Sequence, residues 1–281
     1  MGQTGNAPDH STARQGVPHL SVNEALLLIG HGSARYLDAG RALQRHASTL
    51  RLANRFVRVE VGLLNGTPSV TEALAGIDTP TIRVVPFFME DGYFSRVAVP
   101  RAIRTGLNDA DPPSGPEQRN QAPPPRILMC PPVGIHDGMA ALIERQALAA
   151  CSTEATPSRD TAILIVGHGS SRAPGQALAL HRHTARLAAT ELFARVEAAC
   201  LEEPPFVADA LSGLRAHPVA VIGFFANRGG HVRDDVPALI AAEQAIRGSA
   251  GHGARFHGCV ADDPMMVQII MDQAASHPAG E

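Results

Sequence analysis

The chain has 281 residues, 44% of them hydrophobic, a length that admits one large domain or two ordinary ones. Its formal net charge of −3 provides no basic field for nucleic acid or for an anionic membrane surface. Aromatic residues are scarce at 4% and tryptophan is absent, which argues against a surface that stacks on bases.

The first 22 residues are polar and lack the apolar core of a secretory signal; we expect a disordered leader over 1–22. Ala25–Ile29 is a short, fully apolar run that predicts a buried parallel strand, and GHGS follows it as a tight turn. Helical spacing then covers Ala39–Ala53, a second strand Val57–Leu63, and a second helix Ser69–Ala75 after Pro68. Ile82–Phe88 predicts a third strand, followed by a loop with Gly92 and a helix starting near Pro100. A Pro-rich polar insertion over 107–125 precedes a fourth strand at Arg126–Cys130 and a closing helix at Met139–Ala150. After a linker over 151–160 the pattern starts again. Strands are predicted at Ala162–Val166, Ala194–Cys200, Val219–Phe225 and Phe256–Val260, and a closing helix at Met265–Ala274.

The restart is an internal duplication. A shift of 137 residues, 31 to 168, carries ALLLIGHGSAR onto AILIVGHGSSR. The same shift carries Arg45-His46 onto Arg182-His183, Pro68 onto Pro205, Phe87-Phe88 onto Phe224-Phe225, and Pro100 onto Pro237, with no gap. The expected fold class is therefore α/β: two tandem flavodoxin-like domains, 23–150 and 161–276, each a four-stranded parallel sheet flanked by helices.

In such sheets ligands bind beyond the carboxyl ends of the strands. In the second copy that edge collects His168 from GHGS, Glu202 after the second strand and His231 after the third. Neutral imidazoles bind divalent first-row metals, and a carboxylate beside them can accept protons. Three such ligands with open positions suit a transient or catalytic site better than a closed structural one. The first copy keeps only His31: Asn65 stands opposite Glu202, and Phe94 opposite His231. Arg172, Arg228 and Arg233 flank the second-copy site and are candidates for an acidic substrate, although solvated surface charge would account for each equally well. Asp234 and Asp235 read as the acidic start of the following helix. His181 and His183, the latter matched by His46 in the first copy, read as packing or surface residues. Ser33 and Ser170 lack a GxSxG context, so a hydrolase nucleophile is disfavoured. Cys130, Cys151, Cys200 and Cys259 form no CxxC pair and are expected as reduced thiols of a cytoplasmic protein. No stretch approaches the roughly 20 apolar residues of a membrane span.

Taken together, the GHGS turns (Leu26–Ser33, Ile163–Ser170), CLEEPP (Cys200–Pro205) and GGHVRDDVP (Gly229–Pro237) resemble the CbiX/SirB family of sirohydrochlorin chelatases in its long, duplicated form. The resemblance covers nearly the whole chain beyond the leader. It implies insertion of a divalent metal (Co²⁺, Fe²⁺ or Ni²⁺) into sirohydrochlorin, in cobalamin or sirohaem synthesis, with the metal as substrate and no stable cofactor. Carried over, His168, His231 and Glu202 would bind the metal and take up pyrrole protons. The three arginines, with Ser170, Gly229 and Gly230, would meet the carboxylate-rich macrocycle. The first copy, with His31, would form the opposite wall, so that one chain supplies both halves of the cleft as a monomer. A complete first-copy site is expected of the better-known long forms, and this chain departs from that at Phe94. A non-catalytic metal or tetrapyrrole carrier is the alternative with the same ligands.

Overall fold

The computed structural model describes residues 23–36, 39–108, 123–172, 175–248 and 252–276. The leader expected over 1–22 and the centre of the Pro-rich insertion lie outside the described residues. The first copy runs β1 (Ala25–Gly32), α1 (Arg41–Leu52), β2 (Arg58–Asn65), α2 (Val70–Ala75), β3 (Thr81–Pro86), α3 (Val99–Asn108), β4 (Arg126–Met129) and α4 (Gly138–Thr153). The second runs β5 (Ala162–Gly167), α5 (Leu178–Ala188), β6 (Arg195–Cys200), α6 (Val207–Gly213), β7 (Val219–Gly223), α7 (Val236–Arg247), β8 (Ala254–Cys259) and α8 (Met266–Ala275). Two boundaries differ from expectation. α3 takes in Leu107 and Asn108 from the insertion, and α4 continues to Thr153, into the segment expected as linker.

All pairings are parallel, in the orders β2-β1-β3-β4 and β6-β5-β7-β8. Chain direction across each sheet reverses between its first and third strands, which is where a ligand crevice forms. β1 and β5 are central and face helices on both sides, which is why Leu26–Ile29 and Ile163–Val166 are wholly buried and read as continuous apolar runs. Local signals set the helix starts. Ser69 and Glu72 form a reciprocal capping box at α2, Glu72 N–H donating to Ser69 Oγ at 3.2 Å and Ser69 N–H to Glu72 Oε2 at 2.7 Å.

The closing helices are exchanged between the copies. α4 packs on β7 of the second sheet and α8 on β3 of the first, while α1 meets α8 and α4 meets α5. One continuous core cluster therefore joins both copies, from Leu28 and Leu43 through Leu142 and Ile143 to Ile165, Ile270 and Ala274. Helices α2 and α3 cover the outer face of the first sheet and α6 and α7 that of the second. Polar groups fix the exchange. Gln273 Nε2 donates to Pro132 O at 2.7 Å, and Gln146 Nε2 to Asp263 Oδ2 at 3.1 Å. The buried Arg83 of β3 donates to Ala274 O in α8 at 2.7 Å and pairs with the buried Glu24 at 2.5 Å, so that the charge is not left uncompensated in the core. Among the described residues no helix is long and apolar enough to cross a membrane.

His183 and its first-copy counterpart His46 are symmetric latches across this junction. Buried His46 in α1 hydrogen-bonds through Nε2 to Ala261 O of the second copy at 2.7 Å. Its equivalent, His183 in α5, bonds to Gly134 O of the first copy at 2.8 Å. Burial pushes both imidazoles below the usual histidine range, and the carbonyl bonds oppose this only in part. Arg45, Asp262 and Asp263 surround the first ring, and Arg182, Arg186 and Asp137 the second. The unfolded chain thus binds protons more readily than the native state near pH 6, so stability rises with pH there. We expect the urea midpoint to be constant above the ordinary histidine range of about pH 6.5 and to fall as pH drops through the lowered native values. A His46→Gln/His183→Gln double variant should flatten that slope; an equally steep slope in the variant would exclude the latches as its source.

Candidate metal centre

The register of β5 with β6 builds the first part of the site. Gly167 pairs with Cys200, and the carbonyl of His168 accepts from Glu202 N–H at 2.9 Å, which sets the Glu202 side chain beside the imidazole. Gly169 has φ +70°, and a Cβ there would meet Cys200 Cβ and Glu203 Cγ at 2.7 Å, so the turn after His168 accepts only glycine. Gly32 repeats this after His31, with φ +69°. The two consecutive glutamates diverge. Glu203 is buried and its Oε2 accepts from Gly175 N–H at 2.5 Å, whereas Glu202 faces outward beside His168, with Oε1 3.7 Å from Nε2.

The second part comes from β7. Its chain passes Asn227 and Gly229 into a π-helical turn, His231–Asp235, directly before α7. Such turns occur often at functional sites. His231 is the first residue of the turn, and its ring meets that of His168 edge-on, with centroids 4.5 Å apart. One ligand atom each from His168, Glu202 and His231 lie within 4.8 Å of one another.

Both imidazoles are held in one tautomer. His168 Nδ1 lies 3.0 Å from Gly169 O and His231 Nδ1 lies 2.7 Å from Asp235 Oδ2; both partners only accept, so each Nδ1 carries the proton. The Nε2 lone pairs remain for a ligand, the arrangement in which a carboxylate orients a metal-binding histidine. Asp235 therefore serves His231 and makes no side-chain cap on α7, and Asp234 accepts from the Tyr36 hydroxyl of the first copy at 2.9 Å. Both residues do stand at the start of α7, as expected, but their side chains are turned to His231 and Tyr36 instead of capping the helix. A sequence signal existed: Asp235 follows His231 by four residues, and the first copy has Ala98 at that place.

The first-copy edge repeats the geometry without the chemistry. Phe94 opens the equivalent π-helical turn, Phe94–Ala98, and its ring lies 4.6 Å from that of His31. Asn65 Nδ2 donates to His31 Nδ1 at 3.2 Å. A neutral amide and a phenyl ring thus stand where the second copy has a carboxylate and an imidazole.

The two edges face a common cleft of 710 Å³, with His31, Tyr36 and Phe94 on one side and His168, Glu202 and His231 on the other. Ser170, Gly229 and Gly230 also line it. The three arginines do not. Arg228 donates to Asp262 Oδ2 at 2.6 Å, Arg233 donates to Arg228 O and lies over the Tyr36 ring, and Arg172 is exposed beyond the GHGS turn. Their place is the surroundings of the cleft, where the sequence alone suggested direct contact. The four cysteines are buried; burial raises the Cys130 thiol to about 11 and those of Cys200 and Cys259 to about 12, so none of these three is a ready thiolate ligand. Glu90, missed in the sequence, is a further link between the copies: it accepts from Ala179 and Leu180 N–H at the start of α5, at 2.9 and 3.0 Å.

A family model described as CbiX matches residues 25–150 and again 162–277. The chain is 26% identical over 268 residues to a probable sirohydrochlorin cobaltochelatase of Halobacterium salinarum, covering 90% of this chain and 91% of that one. It resembles the structure of DR2241 from Deinococcus radiodurans, a multi-domain protein similar to chelatases, at 24% identity and TM-score 0.71. That likeness covers 91% of this chain, which spans only 55% of the larger protein. It also resembles the structure of CbiX described as the terminal enzyme for siroheme biosynthesis in denitrifying bacteria, at 24% identity and TM-score 0.66, over 90% of this chain and 99% of that one.

Proposed function

Since the chain belongs to the CbiX family, we propose that it inserts a divalent metal into sirohydrochlorin, and that His168, Glu202 and His231 handle the metal. The observation that carries this is the convergence of three ligand atoms within 4.8 Å on one wall of a cleft that both copies enclose. The cleft volume of 710 Å³ falls within the usual range for sites of organic ligands.

Insertion requires the metal to leave its protein ligands as two pyrrole protons leave the macrocycle. The three side chains bind through two neutral Nε2 atoms and a carboxylate, leaving coordination positions open for pyrrole nitrogens. Each ligand that releases the metal regains a lone pair and can take up a proton. The side chains of His168, Glu202 and His231 are 48%, 42% and 40% exposed, so those protons can pass on to water. Both walls come from one chain, so a monomer suffices. The cobaltochelatase name of the halobacterial relative favours cobalt, and the siroheme enzyme among the structural relatives keeps iron in view. A His/Glu set does not itself choose between these ions.

The test is absorbance of sirohydrochlorin incubated with purified protein and Co²⁺, Fe²⁺ or Ni²⁺. Conversion well above the protein-free rate with at least one ion is expected. Binding of metal and macrocycle with no acceleration by any ion would replace the enzyme with a carrier.

A further inference from the structure

The edge of the first copy has lost every ionisable group of the trio except His31, but it is not blank. Phe94 stacks parallel on Phe88, with ring centroids 5.6 Å apart and planes 4° apart. Tyr93 packs edge-on against Phe94 at 5.6 Å. All three line the cleft, and Phe94 and Tyr93 remain 39% and 64% exposed. Large apolar rings exposed on a concave wall, in a protein only 4% aromatic, need a partner to cover them. The wall opposite bears the metal-binding trio, whose reaction partner must present a conjugated ring to it.

From this we infer that the first copy binds the macrocycle, with Phe94 and Tyr93 as a stacking platform for the flat conjugated face of the tetrapyrrole. The inference rests on the chelatase reading above and adds a division of labour: one edge holds the ring, the other the ion. Replacing the imidazole by phenyl suits this role. Phenyl offers a π-face and apolar area, and it removes a competing metal ligand from the wall that must carry the organic substrate. The accompanying changes agree with it. Asn65 in place of a carboxylate and Ala98 in place of Asp235 remove negative charge from a surface that would meet a polycarboxylate.

The test separates the two substrates. Phe94→Ala, Tyr93→Ala and Phe94→Trp are titrated with metal-free sirohydrochlorin by Soret absorbance, and separately with Co²⁺ alone by its visible absorption. Phe94→Ala is expected to weaken macrocycle binding roughly tenfold, as loss of an aromatic contact does. Tyr93→Ala should weaken it less, and Phe94→Trp should restore most of the affinity. Co²⁺ affinity should be unchanged in all three. Unaltered macrocycle affinity in both alanine variants would overturn the platform while leaving metal insertion standing. Wild-type protein that neither binds sirohydrochlorin nor inserts metal would instead remove the chelatase reading on which it rests.

Discussion

Replacing His231 with alanine is expected to reduce metal insertion by more than about 100-fold, whereas His31→Ala should cost far less. His231 contributes one of three atoms that converge within 4.8 Å, and its Nε2 is left free because Asp235 holds the proton on Nδ1. Loss of a group that orients a metal ligand typically costs about 10–100-fold. Asp235→Ala should therefore lose activity within that range, and the ligand variants His231→Ala and His168→Ala should lose more. Glu202→Gln keeps the shape and one acceptor but loses the charge, and should weaken Co²⁺ binding along with turnover. His31 is held by Asn65 beside a phenyl ring, where the second copy has Glu202 and His231. Initial rates at saturating sirohydrochlorin with Co²⁺ decide the matter. Equal losses from His31→Ala and His231→Ala would show that the working site is not confined to the second copy.

The second large effect concerns stability and acts at a distance in sequence. Removing residues 264–281, which contain α8, should unfold the first sheet before the second, although the first copy then retains all its own sequence. α8 lies on β3, and Met266, Ile269 and Ile270 are 0%, 3% and 0% exposed. Burying a side chain of this kind is worth roughly 1.5–3 kcal/mol, so three of them approach the 5–15 kcal/mol of a whole domain. The truncation also strips Arg83 of its Ala274 acceptor and Pro132 of its Gln273 donor. A milder version, Ile270→Ala, should cost about 2–5 kcal/mol in a denaturant melt. Hydrogen exchange read by peptide shows where the loss falls. If segments of β3 stay protected while β7 opens first, the exchange of helices does not carry the stability assigned to it.

Metal chemistry and folding meet at this exchange. The cleft exists because the copies are joined through α4, α8, His46, His183 and Glu90, and a cut between the repeats would separate the wall bearing His168, Glu202 and His231 from the wall that faces it.

The sequence by itself determined the repeat, the strand and helix alternation and the sheet edge at which the candidate ligands His168, Glu202 and His231 would gather. These depend on local pattern: Ala25–Ile29 and Ala162–Val166 are apolar because both faces of a central strand are covered, and GHGS needs its second glycine for a positive φ. With Pro and Gly punctuating a fixed strand order, the three side chains had to fall at one sheet edge. Tertiary structure alone decided which sheet each closing helix covers, because an apolar face specifies burial without naming a partner. It also decided which of Glu202 and Glu203 faces the cleft, why Asp235 turns to His231, and why Arg228 pairs with Asp262 and Arg233 lies over Tyr36 without either arginine lining the cleft. Phe94 shows both levels. Its mismatch with His231 was readable as a difference between copies, but the aromatic wall it forms with Phe88 and Tyr93 is a property of three rings brought together only by the fold.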